Sequence, residues 1–400
     1  MSRVVFRGGL VFDGTGFAPA PADVTVEDGI VVDVGPGLDG DEAIDLAGRT
    51  LLPGMFDCHV HVTKSDQDRW RRLNTPYSYR YFEAARNLGD TLRGGVTYVR
   101  DAGGADLGVK QARDDGLFTG SRMQISLVML SQTGGHGDGW LASGESAPLT
   151  QTTPGIPSPI ADGPDEVRRK VRELRRMGAD VVKVATSGGV LSPRDDPRHA
   201  HFRPAELAVL VEEASAAGMS VMAHAQAAEG IVNAVRAGVR SIEHGIYLDD
   251  EGIELMLAHG TWLVPTLVAV RGVLDAAAAG VGFAPGVVEK AREAVVVHAD
   301  AVGRAAAAGV RIAMGTDAPL VRHGRNLREL ACLAEAGMSP TAALAAATGS
   351  AAQLLGVDGT LGTIEPGKTA DLVVIDGDAL EVETIGDRIH SVWLAGTRVV

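Results

Sequence analysis

The sequence predicts an α/β fold, a (β/α)8 TIM barrel with a small β-sandwich domain built from both termini. Three observations lead there. Both ends of the chain read as short strands broken by Gly, Pro and Asp turns, while the middle alternates β-branched apolar runs with amphipathic helical segments. The candidate strands of that middle number eight, the count at which repeated βα units close on themselves and place a site at the C-terminal ends of the strands.

At the N-terminus, "VVFRGGLVFDG" and "ADVTVEDGIVVDVG" have the alternation of antiparallel strands, and "ADLVVIDGD" and "IHSVWLAGTRVV" repeat that texture at the other end. Residues 1–56 and 359–400 are therefore expected to form one composite β-sandwich, and 57–358 the barrel. The barrel strands are read in "LLPGMFDCHVH", "GVTYVRDAG", "QISLVMLSQ", "ADVVKVATSGG", "SVMAHA", "SIEHG", "TWLVPTL" and "RIAMGTDAP". Helices are expected over 204–218, in "AEGIVNAVRAG" and in "DEGIELMLAHG", several closing on a Gly stop. An open doubly wound sheet is the alternative, but no Gly-rich phosphate fingerprint follows the first strand. The Gly/Ser/Pro/Thr-rich stretch from Thr133 to Pro164 is long enough to be a loop over the active face.

With 45% hydrophobic and 22% charged residues, the composition is that of an ordinary globular protein. A net charge of −14 disfavours nucleic acid and anionic membrane as partners, because both demand a positive field. The first residues lack a signal-type apolar run, and no uncharged apolar stretch is long enough to span a bilayer, so a cytoplasmic location is expected. Cys58 and Cys332 are far apart and each within an apolar segment, which points to buried free thiols.

The chemistry begins at "DCHVHV". Residues i and i+2 of a strand share a face, so His59 and His61 project together, and two imidazoles converging on one point suit a divalent metal such as zinc. Elsewhere Lys183 sits inside an apolar strand, and His224, His244 and Asp317 fall near the ends of three others. Each alone has an ordinary reading, as a hydrogen-bonded core histidine or a helix cap. Six on strands one, four, five, six and eight argue together for a metal centre. Burying an ammonium is costly without a partner, but a neutral lysine amine can take up carbon dioxide and become an anionic carbamate able to bridge two metals. Its ordinary alternative is an ion pair to a strand-end carboxylate such as Asp101.

These residues carry a resemblance. "PGMFDCHVH", the strand-four lysine, the isolated His224 and His244, "GTDAP" and "LGTIEPGKTADLVVID" resemble the metal-dependent amidohydrolase superfamily over nearly the whole chain. "KVATSGGV", "DDPR", "AHAQAAEGIVNAVRAGVRSIEHG" and "YLDDEGIELM" are similar to the branch of imidazolonepropionase-like proteins and Xaa-Pro and Xaa-Arg dipeptidases, with ochratoxin-hydrolysing relatives nearby. The resemblance implies two zinc ions, with His59, His61 and Asp317 on the buried one, His224 and His244 on the exposed one, and a carboxylated Lys183 and a hydroxide between them. Two such cations make hydroxide available near neutral pH, and Asp317 then moves the proton from nucleophile to leaving amine.

The expected reaction is hydrolysis of an amide bond in a dipeptide or N-acyl amino acid with a free carboxylate. Tyr247 and His136 are read as donors to the developing oxyanion or to that carboxylate. Arg194, Arg198, His201 and Arg203 in "LSPRDDPRHAHFRP", with His199 in the same run, and Arg322 with His323 in "PLVRHGR" supply basic groups near the active face. At His201 this chain departs from relatives that commonly carry Gln. Arg100 and Asp101 are expected to orient the metal site, while His259, His298 and His390 are expected on helices or the surface. Cyclic-amide opening or deamination is the second enzymatic reading, although "HAQAAE" lacks the HxxE arrangement of deaminating relatives, and Lys183 argues against the one-metal imidazolonepropionase type. Lactone or phosphotriester hydrolysis needs only the same hydroxide. A metal-free scaffold is the non-enzymatic reading, and it predicts missing ligands. Homo-oligomers occur among relatives, and no interface signal decides the matter here.

Overall fold

The computed structural model describes residues 3–192 and 195–400. Its fold is of the TIM-barrel type, with two parallel sheets joined by single bridges. Strand one (Met55–Val60) pairs with strand two (Val96–Asp101), which pairs with Arg122–Ile125. The third segment then breaks where Leu127 takes φ 67° and resumes at Met129–Leu130, beside strand four (Val181–Ala185). Strands five (Ser220–Ala225), six (Ser241–His244) and seven (Trp262–Val264) follow in order. Segment 311–318, expected as a full eighth strand, makes only bridge-type pairings. Leu263 donates to Arg311 on one side, and Cys58 and His61 donate to Met314 and Ala318 on the other, linking strand seven back to strand one.

The apolar run "LLPGMFDCHVH" is not one strand. Arg49–Pro53 belongs to a different sheet, and the direction changes at Gly54, where a Cβ would lie 2.2 Å from the Thr97 hydroxyl. Hydrophobic patterning cannot see such a corner, because both halves are buried. That second sheet has eight strands drawn from both termini. It runs from Thr397–Arg398 through Ile389–Leu394, Leu372–Asp376 and Arg49–Pro53 to Val4–Val11, Ala20–Glu27 and Ile30–Gly35, with Glu42–Asp45 also on Val4–Val11. Its apolar core includes Phe6, Leu51, Leu372 and Trp393, with the Phe6 and Trp393 rings edge to face at 5.0 Å. Arg122 pairs with the nearly buried Asp371 at 2.8 Å, tying this sheet to the parallel sheet that holds Arg122–Ile125.

Helices cover the outer faces. Pro204–Ala216 starts on a favourable N1 proline, and Ala228–Ala237 and Asp250–His259 end on Gly238 and Gly260 in the left-handed conformation, as their stop signals predict. Asp249 caps the last of these by accepting from Gly252, an interaction worth about 1 kcal/mol. Both cysteines are buried and unpaired. Among the described residues, no helix is long and apolar enough to cross a membrane.

Candidate metal centre and its cavity

Strand register brings the candidate ligand side chains together. Ala185, His224 and Glu243 lie abreast on adjacent strands, so Lys183, two residues before Ala185, faces the same interior. His244 would point outward by alternation, but φ 71° turns it in, and Asp317 and Thr266 take φ 55° and 54°. Left-handed backbone at non-glycine residues is costly, and here it sits at three strand ends around one centre.

The imidazoles form a chain. Ring centroids are 5.7 Å apart for His59 and His61, 4.9 Å for His59 and His244, and 4.7 Å for His224 and His244. Asp317 Oδ1 lies 3.2 Å from His61 Nε2 and 3.5 Å from His59 Nε2. Ligand atoms of His59, His244 and Asp317 fall within 4.8 Å of one another, close enough to serve one ion or two adjacent ones.

Each histidine also has one ring nitrogen already engaged. His59 Nδ1 bonds Glu243 at 2.7 Å, His61 Nδ1 the Gly103 carbonyl at 2.7 Å, His244 Nδ1 Thr266 Oγ1 at 2.7 Å, and His224 Nε2 the Gly188 carbonyl at 3.2 Å. The other nitrogen of each ring remains for an ion, which is how proteins orient metal-binding imidazoles. Burial drives the pKa values of His59, His224 and His244 well below the usual imidazole range, and neighbouring positive charge adds to it. All three rings are therefore neutral, as ligation demands. For Asp317, burial is the largest influence and pushes its pKa up, but the His61 hydrogen bond and neighbouring positive charge, that of Lys183 included, outweigh it and leave a carboxylate.

Lys183 is 1% exposed and its Nζ has no hydrogen-bond partner. Burial lowers its pKa to about 8, so a neutral amine is accessible near physiological pH. The alternative of an ion pair to Asp101 does not hold. That carboxylate accepts the backbone N–H groups of Val62, Gly103 and Ala105 and shapes the loop after strand two. Arg100 instead donates to the Cys58 carbonyl, to Ser241 and to Glu243.

Sequence reading missed Glu243 and gave Asp57 no role. Glu243 is fully buried and fixes the His59 tautomer while held by Arg100 and Ser241. Glu243→Gln is expected to weaken metal affinity by about 10- to 100-fold, measured by chelator competition. Asp57 ties strand one to segment 311–318 by accepting from Thr316 and Asn326, and burial raises its pKa to about 6 despite those bonds. His298, expected on a helix or the surface, lies in helix Val287–Ala308 but is 1% exposed, and it donates from Nε2 to the His244 carbonyl. His323 likewise donates to the Lys64 carbonyl. Burial lowers both pKa values from 6.5 to about 4. The unfolded chain then binds more protons between those limits, so stability present above pH 6.5 is lost as pH falls toward 4. Thermal midpoints of the metal-free protein across that window, with and without His298→Gln, check this; the variant's slope should be shallower.

Around the centre lies a cavity of about 220 Å³, lined by the six candidate ligands and His136. His136 stacks on His224 at 4.3 Å and bonds Asp195 at 3.1 Å. It fits because Gly189 has no Cβ, which would sit 2.2 Å from the ring. The 133–164 stretch contributes Gly137, Leu149, Thr150 and Pro159 to the wall, and Gln226 presents an unpartnered Oε1.

The expected substrate-binding residues are brought together less well. Tyr247 is not in the wall and packs under the Arg198 guanidinium at 6.0 Å. Arg198 pairs with Glu293, and Arg203 and Arg322 are exposed away from the cavity. His201 is buried with His199 nearby in a separate depression, and Arg194 lies outside the described residues. Lys64, Gln67 and Arg72 line the cavity instead.

The amidohydrolase family model matches residues 50–399. Ochratoxinase of Aspergillus niger is 36% identical over 397 residues, covering 94% of this chain and 82% of that protein. A crystal structure of a Xaa-Pro dipeptidase with methionine bound in its active site superposes with TM-score 0.89 at 31% identity, covering all of both chains. A prolidase complexed with N-methylphosphonate-L-proline superposes with TM-score 0.90 at 35% identity over 99% of each chain.

Proposed function

The chain belongs to the amidohydrolase family and is a hydrolase of carbon–nitrogen amide bonds, and we propose that it cleaves a dipeptide or N-acyl amino acid bearing a free carboxylate. The observation that carries this reading is the buried, unpartnered Lys183 amine among four imidazoles, each with one nitrogen engaged and one available. An unmodified ammonium there would repel a metal, whereas a carbamate completes the site. We assign His59, His61 and Asp317 to one divalent ion, His224 and His244 to a second, and carboxylated Lys183 to both, with zinc suited to the nitrogen-rich donor set. Two such ions, when bound, supply a hydroxide nucleophile near neutrality and polarise the scissile carbonyl.

The protein's own groups do the rest. Asp317 accepts a proton on a carboxylate oxygen and returns it to the departing nitrogen, which otherwise would leave as an unstable amide anion. The His61 hydrogen bond to Oδ1 and the nearby Lys183 keep that carboxylate ionised beforehand. His136, held by Asp195, is placed to donate to the oxygen on which charge develops. The apolar side of the cavity limits water at the reacting centre. We take the catalytic unit to be a closed (β/α)8 barrel, expected over 57–358 and beginning with strand one at Met55, with the two terminal segments forming the small β-sandwich. The test is a screen of zinc-reconstituted protein against dipeptides and N-acyl amino acids, read by amine release. Turnover of a lactone or phosphotriester with all amides untouched would leave the metal site standing and remove this substrate assignment.

A further inference from the structure

The cavity has two chemically different walls. Val190, Ile246, Val270, Val273, Phe283 and Leu320 make one side apolar, while Lys64, Gln67 and Arg72 make the other polar and cationic. Lys64 lies three residues beyond His61, and its backbone N–H donates to the His61 carbonyl at 3.1 Å. Its own carbonyl accepts from Asn87 Nδ2 and from His323 Nε2, both at 3.0 Å. The loop that presents this side chain is thus held at several points, yet its half-buried ammonium has no hydrogen bond or ion pair among the described residues. Asp317 and Asp101 act on this cation only at a distance, and a confined cation with no carboxylate in direct contact can receive one from a ligand.

An adjoining recess of about 110 Å³ supports this. It shares Lys64, Arg72, Leu149 and Thr150 with the main cavity, adds Arg80, and has no carboxylate among its described lining residues. Arg80 is held over the Tyr77 ring at 5.2 Å and bonds Gln151. By contrast, Arg198 is already matched by Glu293, and Arg203 and Arg322 are exposed off the cavity.

We propose that Lys64, with Arg72 beside it, is the specificity-determining cation of the cavity and receives the carboxylate of an amide whose other half is bulky and apolar. This rests on the amide-hydrolase reading for its substrate class but not for the binding itself. The carboxylate enters between strands one and two, and the apolar half lies across the reacting centre against the wall after strands four, six and seven. The recess leaves room for the carboxylate to be carried on a longer arm.

The test compares N-benzoylglycine, whose acyl half is apolar and whose amine half carries the carboxylate, with N-benzoylglycinamide on zinc-reconstituted wild type, Lys64→Met, Lys64→Arg and Arg198→Gln. Turnover gives the acid-to-amide ratio of kcat/KM, and calorimetry gives the corresponding ratio of affinities. We expect wild type to favour the acid by about tenfold or more, as a charge-assisted contact implies. That ratio should collapse toward one in Lys64→Met, and persist in Lys64→Arg and Arg198→Gln. An acid preference that survives Lys64→Met, or that is lost in Arg198→Gln, or that wild type lacks, overturns the proposal. Binding that discriminates through Lys64 while neither compound is hydrolysed would sustain it and count against the amide-hydrolase substrate reading alone.

Discussion

Asp317→Asn is expected to lower kcat/KM for the best amide substrate by about three orders of magnitude, the scale of a lost general acid–base. Asparagine is the informative replacement because residue 317 has φ 55°, a conformation that Asp and Asn tolerate better than other L-residues. The fold should therefore survive, and circular dichroism and the thermal midpoint should stay close to wild type. Asp317→Ala would mix the chemical loss with backbone strain. A loss of tenfold or less in Asp317→Asn would mean that another group carries the proton.

Lys183→Met should have a second large effect, and its two readouts move in opposite directions. Activity should fall by about three orders of magnitude or more, because the only proposed ligand to both ions is removed. The metal-free protein should become more stable, by on the order of 1–4 kcal/mol, since an unpaired buried ammonium is replaced by an apolar side chain of similar length. Denaturant unfolding after chelation measures this. Carbon-13 NMR with labelled bicarbonate should show a carbamate resonance in wild type that is absent in Lys183→Met. Less stable metal-free Lys183→Met would indicate that the amine has a compensating partner in the folded state.

Much of this was legible in the sequence because the site breaks local rules. Lys183 stands in a strand with no other polar residue, and His59 and His61 keep a two-residue spacing inside an apolar run, so elementary periodicity exposes them. Glu243 was hidden for the opposite reason. With His244 taken as the inward residue, alternation sends its neighbour outward, and only the left-handed backbone at His244 allows both side chains to serve the interior. Register with His224 would have revealed it, but register between strands is a tertiary property. Arg198 shows the limit of reading charge: a basic group near a site is visible in sequence, whereas its pairing with Glu293, some ninety residues on, is not. Lys64, close to the histidine pair in sequence, was overlooked as one lysine among surface-like residues, and only the cavity wall distinguishes it. Gly54 divided one apparent strand between two sheets for a steric reason that lies on Thr97.

The central claim is that five segments of the chain assemble a two-ion site spanned by modified Lys183. Crystals of zinc-reconstituted protein, with anomalous diffraction recorded on both sides of the zinc absorption edge, address it most directly. The account predicts two anomalous peaks per chain, one against His59, His61 and Asp317 and one against His224 and His244, with extra density on Lys183 Nζ reaching both. A single peak, or an unmodified Lys183 turned away from the metal, would contradict it.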